Sequence, residues 1–286
     1  MEGVPAEGSE ADEKVVKDIP LGYLPSGSIL LYIKGESVMN SPISRIGGKK
    51  QLRKTICEAF PPANTYDRYI EVFGGAGWVL FYKDRHADLE VYNDADGELV
   101  NLMRCIKYHA GELQKEISCY LNSREMFLDI KEQLKCRGFT DIQRAARFFV
   151  KMRLSFGADG RTFGCNKKPL KSSTEYLTEV QERLMKGVVI EHKDFDDLIK
   201  VYDRPTALFY CDPPYHTTED YYDATFSQSD HIRLKDRLNT IKGRFLLSYN
   251  DDEFIRELYK DFKIIEITRS NNLTSGVYKE LLICNY

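Results

Sequence analysis

A chain of 286 residues, 42% hydrophobic and 30% charged, is long and apolar enough to bury a full core. It has no apolar run approaching the roughly 18–20 residues of a membrane span, and no basic segment followed by an apolar stretch at its start, so neither a spanning helix nor a signal peptide is expected and the chain reads as cytoplasmic. Its net charge of −3 does not by itself suggest nucleic acid, and seven scattered cysteines and five histidines without metal-ligand spacing argue against a disulfide framework and a zinc site.

Residues 1–38 carry acidic residues, Gly, Pro and Ser around one short apolar run, and read as a tail or a mis-assigned start rather than a domain. Strands and helices then alternate. YIEVF (69–73) reads as a buried strand, GGAG (74–77) as a turn, WVLFYKDR (78–85) as a helix, LEVY (89–92) as a second strand and 95–109 as a helix. Alternation of this kind predicts a parallel α/β sheet. It stops over 110–154, where apolar residues recur at helical spacing, and LSFGADGRTFGCNKKP (154–169) reads as a hairpin or extended loop. A helix over 173–187, capped by Ser173 or Thr174 and stopped by Gly187, precedes further strands at 188–192, 207–211, 244–249, 262–268 and 279–286. The helical stretch 109–187 therefore reads as an insertion in one sheet. Within it, residues 131–171 hold eleven Lys/Arg against three Asp/Glu, which is either a phosphate-binding patch or a solvated helical face.

Four short motifs carry chemistry. Asp212-Pro213-Pro214-Tyr215 follows the apolar strand ALFYC, where an open parallel sheet binds its ligands. Two prolines stiffen the backbone and remove donors, so a carboxylate, the Pro213 carbonyl and an aromatic face can line a pocket for a planar exocyclic amine. A proline-rich turn with a helix-capping Asp is the competing explanation. Phe73-Gly74-Gly75-Ala76-Gly77 closes the first strand and lets a ligand approach the backbone, although alone it is a plain tight turn. Asp94 ends the second strand, placed for a ribose diol, for capping the next helix, or for both. Gly47-Gly48-Lys49 suits a carboxylate- or phosphate-binding loop, and equally a surface turn.

In order, PISRIGGKKQL, YIEVFGGAGWVLF, VYNDADGELVNLMRCIK, DPPY and the terminal KELLICNY resemble the Dam family of DNA adenine-N6 methyltransferases in its alpha-type arrangement, over about residues 41–286. The resemblance implies an α/β fold: a Rossmann-like methyltransferase sheet, with catalytic-domain segments 39–108 and 187–286 and a mostly helical target-recognition insertion at 109–186. It implies site-specific methyl transfer from S-adenosylmethionine to N6 of an adenine flipped out of double-stranded DNA. Lys49, Phe73, Gly75, Gly77 and Asp94 would hold the cofactor, with Asp194 and Phe195 near its adenine. Asp212, Pro213 and Tyr215 would be catalytic, Asp212 also bordering the cofactor. Arg45 stands where the family often has an aromatic residue, and can still stack on a ring. TFGCNKKP resembles an altered form of the family's DNA-contacting hairpin, so Arg153, Arg161, Lys167 and Lys168 are expected on DNA. No metal is required. A monomer of bacterial or phage origin, in some cases partnered by a cognate restriction endonuclease, completes what the resemblance implies, with GATC the family's commonest target. Methylation of an RNA base or of cytosine N4, and a DNA-binding protein with an inactive methyltransferase fold, are the competing functions; an N4 enzyme more often has Ser where Asp212 stands.

Overall fold

The computed structural model describes residues 39–164, 170, 174–216, 226–270 and 277–286; the acidic start, and with it the reading of 1–38, lies outside the described residues, as do Lys167 and Lys168. Among the described residues seven strands form one sheet: β1 Arg68–Glu71, β2 Leu89–Asn93, β3 Val188–Glu191, β4 Ala207–Cys211, β5 Arg244–Asn250, β6 Lys263–Ser270 and β7 Val277–Cys284. Their order is β3-β2-β1-β4-β5-β7-β6. The first five are mutually parallel, and β7 runs antiparallel to both β5 and β6. This is a Rossmann-like α/β sheet, and all seven strands lie where the hydrophobic runs place them.

The strands are apolar on both faces because both are covered. Tyr69, Tyr92, Leu208, Tyr210, Leu246 and Leu282 pack into one core, while Ile70, Val91, Phe209, Phe245, Leu247 and Leu281 pack into another. Helices α6 (Phe195–Tyr202), α7 (Gln228–Leu238) and α8 (Glu253–Leu258) cover the second. The first is covered by α1 (Arg53–Glu58) and by α2 (Gly97–Ser118), α3 (Arg124–Gln133), α4 (Asp141–Leu154) and α5 (Leu177–Met185). The last three and the far half of α2, which departs from helical geometry at His109, make up the helical stretch between β2 and β3. Its Phe148, Phe149 and Val150 share one continuous core with the sheet.

Two local expectations change. Residues 78–85 do not form a helix; a single 3-10 turn spans Leu80–Tyr82. Its carbonyls take other partners: Arg183 donates to Leu80 O at 3.1 Å and Lys83 O at 3.0 Å, and a ring nitrogen of His86 lies 2.9 Å from Val79 O, which also accepts from Tyr82 N at 3.1 Å. Arg183 is 1% exposed and also makes a two-pronged bond to Glu90, at 2.8 and 2.7 Å, so one guanidinium fastens α5 to β2 and to this turn. Helix α5 begins only at Leu177, with Tyr176 at the N-cap and no side-chain cap, so Thr174 does not cap it. Gly187 does follow its end, with φ +104°. The 154–164 stretch is a tight hairpin turn: Ser155 bridges Phe163, and Phe156 N donates to Thr162 O at 2.7 Å.

Candidate active site

Strand order decides where the motifs meet. Because β1 lies between β2 and β4, the chain segments leaving these three strands are neighbours at the carboxyl edge, at the point where the order reverses. They are the glycine turn after β1, Asp94 after β2 and Asp212 after β4. Asn93 staples this edge: its amide donates to Val72 O at 2.9 Å and Lys193 O at 3.1 Å, while its oxygen accepts from Lys193 N at 2.8 Å. A cavity of about 400 Å³ opens there. Arg45, Lys49, Phe73, Gly75, Gly77, Asp94, Asp194, Phe195 and Asp212 all border it. Of the two prolines Pro214 borders the cavity and Pro213 is buried. Tyr215 stands beside it, with its ring centroid 4.7 Å from Lys49 Nζ.

The glycine turn is shaped by its neighbours. Gly75 has φ +50° and open space where a side chain would project, so the turn bends without walling off the cavity. Gly75 N donates to Asp94 Oδ2 at 2.7 Å, and Asp96 N donates to Asp94 Oδ1 at 2.8 Å. The N-cap of α2 is Asp96, whose Oδ1 accepts from Glu98 N and Leu99 N. Asp94 is thus released from capping and anchors the turn instead. Burial pushes its carboxyl above the usual range, against the nearby Arg45. Arg45 donates to Asp96 Oδ2 at 2.8 Å; burial opposes its charge, but Asp96 and Asp94 outweigh burial. The arginine that stands in for an aromatic residue is therefore an ion-pair partner at the rim.

The two ends of the cavity differ in chemistry. At one end Phe73, Phe195 and Phe226 pack on one another with ring centroids 5.7 Å apart, and Arg233 lies 4.1 Å over Phe195. Arg233 is held there by two 2.9 Å bonds to Asp194. An apolar aromatic wall with a cationic edge results, suited to a planar heterocycle. At the other end Lys49, 4% exposed, makes a 2.8 Å ion pair with Asp212 Oδ1. Ser248 Oγ donates to the same oxygen at 2.8 Å. Burial raises the Asp212 carboxyl above its ordinary value, although Lys49 and Ser248 pull the other way. Glu71, also on the cavity wall, is pushed up to about 8 by burial and accepts from Tyr69 OH at 2.8 Å, so it carries a proton at neutral pH. Tyr215 OH donates to Glu280 Oε2 at 2.9 Å. Among the described residues no group of three His, Cys, Asp or Glu side chains is gathered as metal ligands.

Glu71, Phe226, Arg233, Ser248 and Glu280 were not singled out from the sequence. A signal existed for two of them: Glu71 in YIEVF and Glu280 in KELLIC are carboxylates inside apolar strands, where an unpaired charge is costly. Of the residues expected on DNA, the two that are described lie elsewhere. Arg153 is half-buried against Phe149, at 5.5 Å, and burial lowers its pKa. Arg161 is exposed in the hairpin turn. Neither borders the cavity.

Residues 46–273 match the family model for D12 class N6 adenine-specific DNA methyltransferases. Among curated proteins, the Type II methyltransferase M.CviBI of Paramecium bursaria Chlorella virus NC1A is 24% identical, over 77% of this chain and 87% of that protein. The Type II methyltransferase M.MjaIII of Methanocaldococcus jannaschii is 26% identical, over 84% and 96% respectively. Among solved structures, the rRNA methyltransferase aviRa from Streptomyces viridochromogenes superposes with a TM-score of 0.38 at 11% identity, covering 82% of this chain and 84% of that one.

Proposed function

The chain belongs to the D12 class N6 adenine-specific DNA methyltransferase family, so its activity is methylation of adenine N6 in DNA, and from that premise we propose S-adenosylmethionine as the methyl donor and assign the site residues their parts. When bound, the donor supplies a methyl group on a sulfonium, which departs as a neutral thioether. The cavity's chemistry fits it. The Phe73, Phe195 and Phe226 wall would hold the adenine, with Asp194 fixing Arg233 at its edge. Asp94 retains lone pairs for the ribose hydroxyls while its carboxylate anchors Gly75. Gly75 and Gly77 keep the backbone close to the ligand, and Lys49 and Arg45 are the cations near the methionine portion.

Double-stranded DNA is the substrate of this proposal. A stacked adenine cannot reach the cavity, so it flips out at a cost of a few kcal/mol. Tyr215 then stacks on its face. Asp212 and the Pro213 carbonyl accept hydrogen bonds from N6, keeping its lone pair directed at the methyl carbon; positioning and desolvation supply the catalysis. The observation that supports this most is Asp212 itself, ordered by Lys49 and Ser248 on the wall of the cavity that also contains the glycine turn. Segments 39–108 and 187–286 form the catalytic domain in this scheme. The insertion 109–186 reads the target, with Arg153, Arg161, Lys167 and Lys168 facing DNA. The proposed enzyme is a monomer, in some cases partnered by a cognate restriction endonuclease. A cytoplasmic setting accords with the absence, among the described residues, of any helix long and apolar enough to cross a membrane.

The test incubates the purified chain with methyl-labelled S-adenosylmethionine and duplex DNA, single-stranded DNA or RNA, and separates the nucleosides. Label in N6-methyladenine from duplex DNA is expected. Label confined to single strands or to RNA would overturn the duplex assignment, and transfer dependent on another methyl donor would overturn the cofactor.

A further inference from the structure

Neither Ser248 nor Glu280 borders the cavity, yet each is buried and bonded to a residue of the DPPY segment. Ser248 sits within β5 at 0% exposure and Glu280 within β7 at 2%. The antiparallel pairing sets Ser248 opposite Leu282 and Asn250 opposite Glu280, so Ser248 and Glu280 share one face of the sheet, one step apart. Insertion of β7 beside β5 therefore brings a carboxylate to the carboxyl end of β5, next to the segment leaving β4. Ser248 Oγ donates to Asp212 Oδ1, and the Tyr210 hydroxyl stands 3.1 Å behind it, placed to donate to Ser248 in turn. Lys49 and Ser248 both use Oδ1, which leaves Oδ2 for the substrate amine. Glu280 Oε2 accepts from Tyr215 OH, fixing the ring whose face Lys49 also touches. A buried carboxylate among apolar neighbours is a poor way to stabilise a strand, because an apolar side chain of similar volume does so without desolvating a charge.

We propose that Ser248 and Glu280 are positioning residues for methyl transfer, Ser248 orienting the Asp212 carboxylate and Glu280 the Tyr215 ring. The inference deepens the site assignment above and rests on it. Asp212 is faced by Lys49 from the glycine loop, Glu71 from β1, Tyr210 and Cys211 from β4, Tyr215 beyond it, Tyr249 from β5 and Glu280 from β7. Ser248, also on β5, favours the ionised form through its hydrogen bond, and Glu280's charge opposes it. Asp212 accepts from N6 in its ionised form, so activity is present above its pKa and is lost as pH falls through it. Removing the Ser248 hydroxyl raises that pKa and moves the acid limb of the kcat/KM profile to higher pH. Neutralising Glu280 as glutamine, which keeps an acceptor for Tyr215, moves the limb to lower pH.

The experiment measures kcat, KM and pH profiles for the full chain on duplex DNA, with labelled S-adenosylmethionine, for Ser248→Ala, Ser248→Thr, Glu280→Gln, Glu280→Ala and Asp212→Ala. Ser248→Ala and Glu280→Ala are expected to lower kcat by about tenfold or more, the loss of one charge-assisted hydrogen bond, with KM for the donor little changed. Ser248→Thr, which keeps the hydroxyl, recovers the rate. The limbs of Ser248→Ala and Glu280→Gln shift in opposite directions. Unshifted limbs, shifts of the same sign, or a raised donor KM at unchanged kcat would overturn the proposal. If Asp212→Ala is inactive while the Ser248 and Glu280 variants behave as wild type, this inference alone falls; if Asp212→Ala retains methyl transfer, the site assignment falls and takes it along.

Discussion

The carboxyl edge of the sheet and the helical insertion use charge in opposite ways. At the edge, few charged residues converge from distant segments, and each has a defined partner: Lys49 on Asp212, Arg45 on Asp96, Arg233 on Asp194. In the insertion, charges are many and dense in sequence, yet the fold spends a good part of them internally. Arg144 pairs with Glu98, Lys135 with Glu132 at 2.8 Å, and Arg147 lies 3.7 Å from Glu116 and 4.0 Å over Phe139. Lys131 donates to Arg161 O at 2.9 Å. A tally of cations along a helix therefore overstates what is offered to a phosphate backbone, whereas sparse motif residues at strand ends understate how tightly they are arranged.

The largest expected effect tests the edge. Asp212→Ala should lower kcat for methyl transfer by about 10²–10³-fold, the scale for removing one preorganised electrostatic group, with the fold retained by circular dichroism although Lys49 loses its partner and some stability is lost with it. Near-normal formation of N6-methyladenine would remove the contrast at its source. Next comes the joint between the two regions. Breaking a buried ion pair by removing one partner costs about 3–5 kcal/mol, so Arg183→Ala, which strands Glu90, should lower unfolding stability by that amount in urea titration. A loss under about 1 kcal/mol would mean the insertion is held by its apolar core alone.

A smaller effect concerns Glu71. Its folded pKa near 8 lies above the ordinary carboxyl value, so the folded state keeps a proton that the unfolded chain releases. Stability from this group therefore declines as pH rises from about 4.5 to about 8. Glu71→Gln should flatten that decline, as read by denaturant midpoints across the range; an unchanged slope would show the carboxyl ionised in the fold. The smallest effect separates an exposed cation from a half-buried one. Arg161→Glu should reduce the slope of log affinity against log salt by about one, whereas Arg147→Glu should leave that slope alone and cost stability. Equal slopes for both variants would return the insertion to a uniformly charged surface.

Strand positions were legible because a strand buried on both faces must be apolar throughout, and ALFYC, RFLLSY and YIEVF are. The motif residues were legible because a glycine turn, an acid after a strand and DPPY are each local, and nine residues expected around the cofactor do border one cavity. The 78–85 segment was misread because its Leu80 carbonyl, which a helix would bond to Asp84 N, goes instead to Arg183, about a hundred residues away. Asp94, read as a ribose ligand, a cap for the next helix, or both, leaves the cap to Asp96 and holds the glycine turn, a contact made only when β1 and β2 are set side by side.

Chain chemistry alone carried the alternation of strand and helix, the short motifs and their order, since those depend on neighbours within a few residues. Strand order did the rest. Seating β1 between β2 and β4, and β7 between β5 and β6, joins the glycine turn to Asp212 and delivers Ser248 and Glu280 behind it. Those contacts link groups dozens of residues apart, and local propensity holds no information about partners that only the folded sheet makes adjacent.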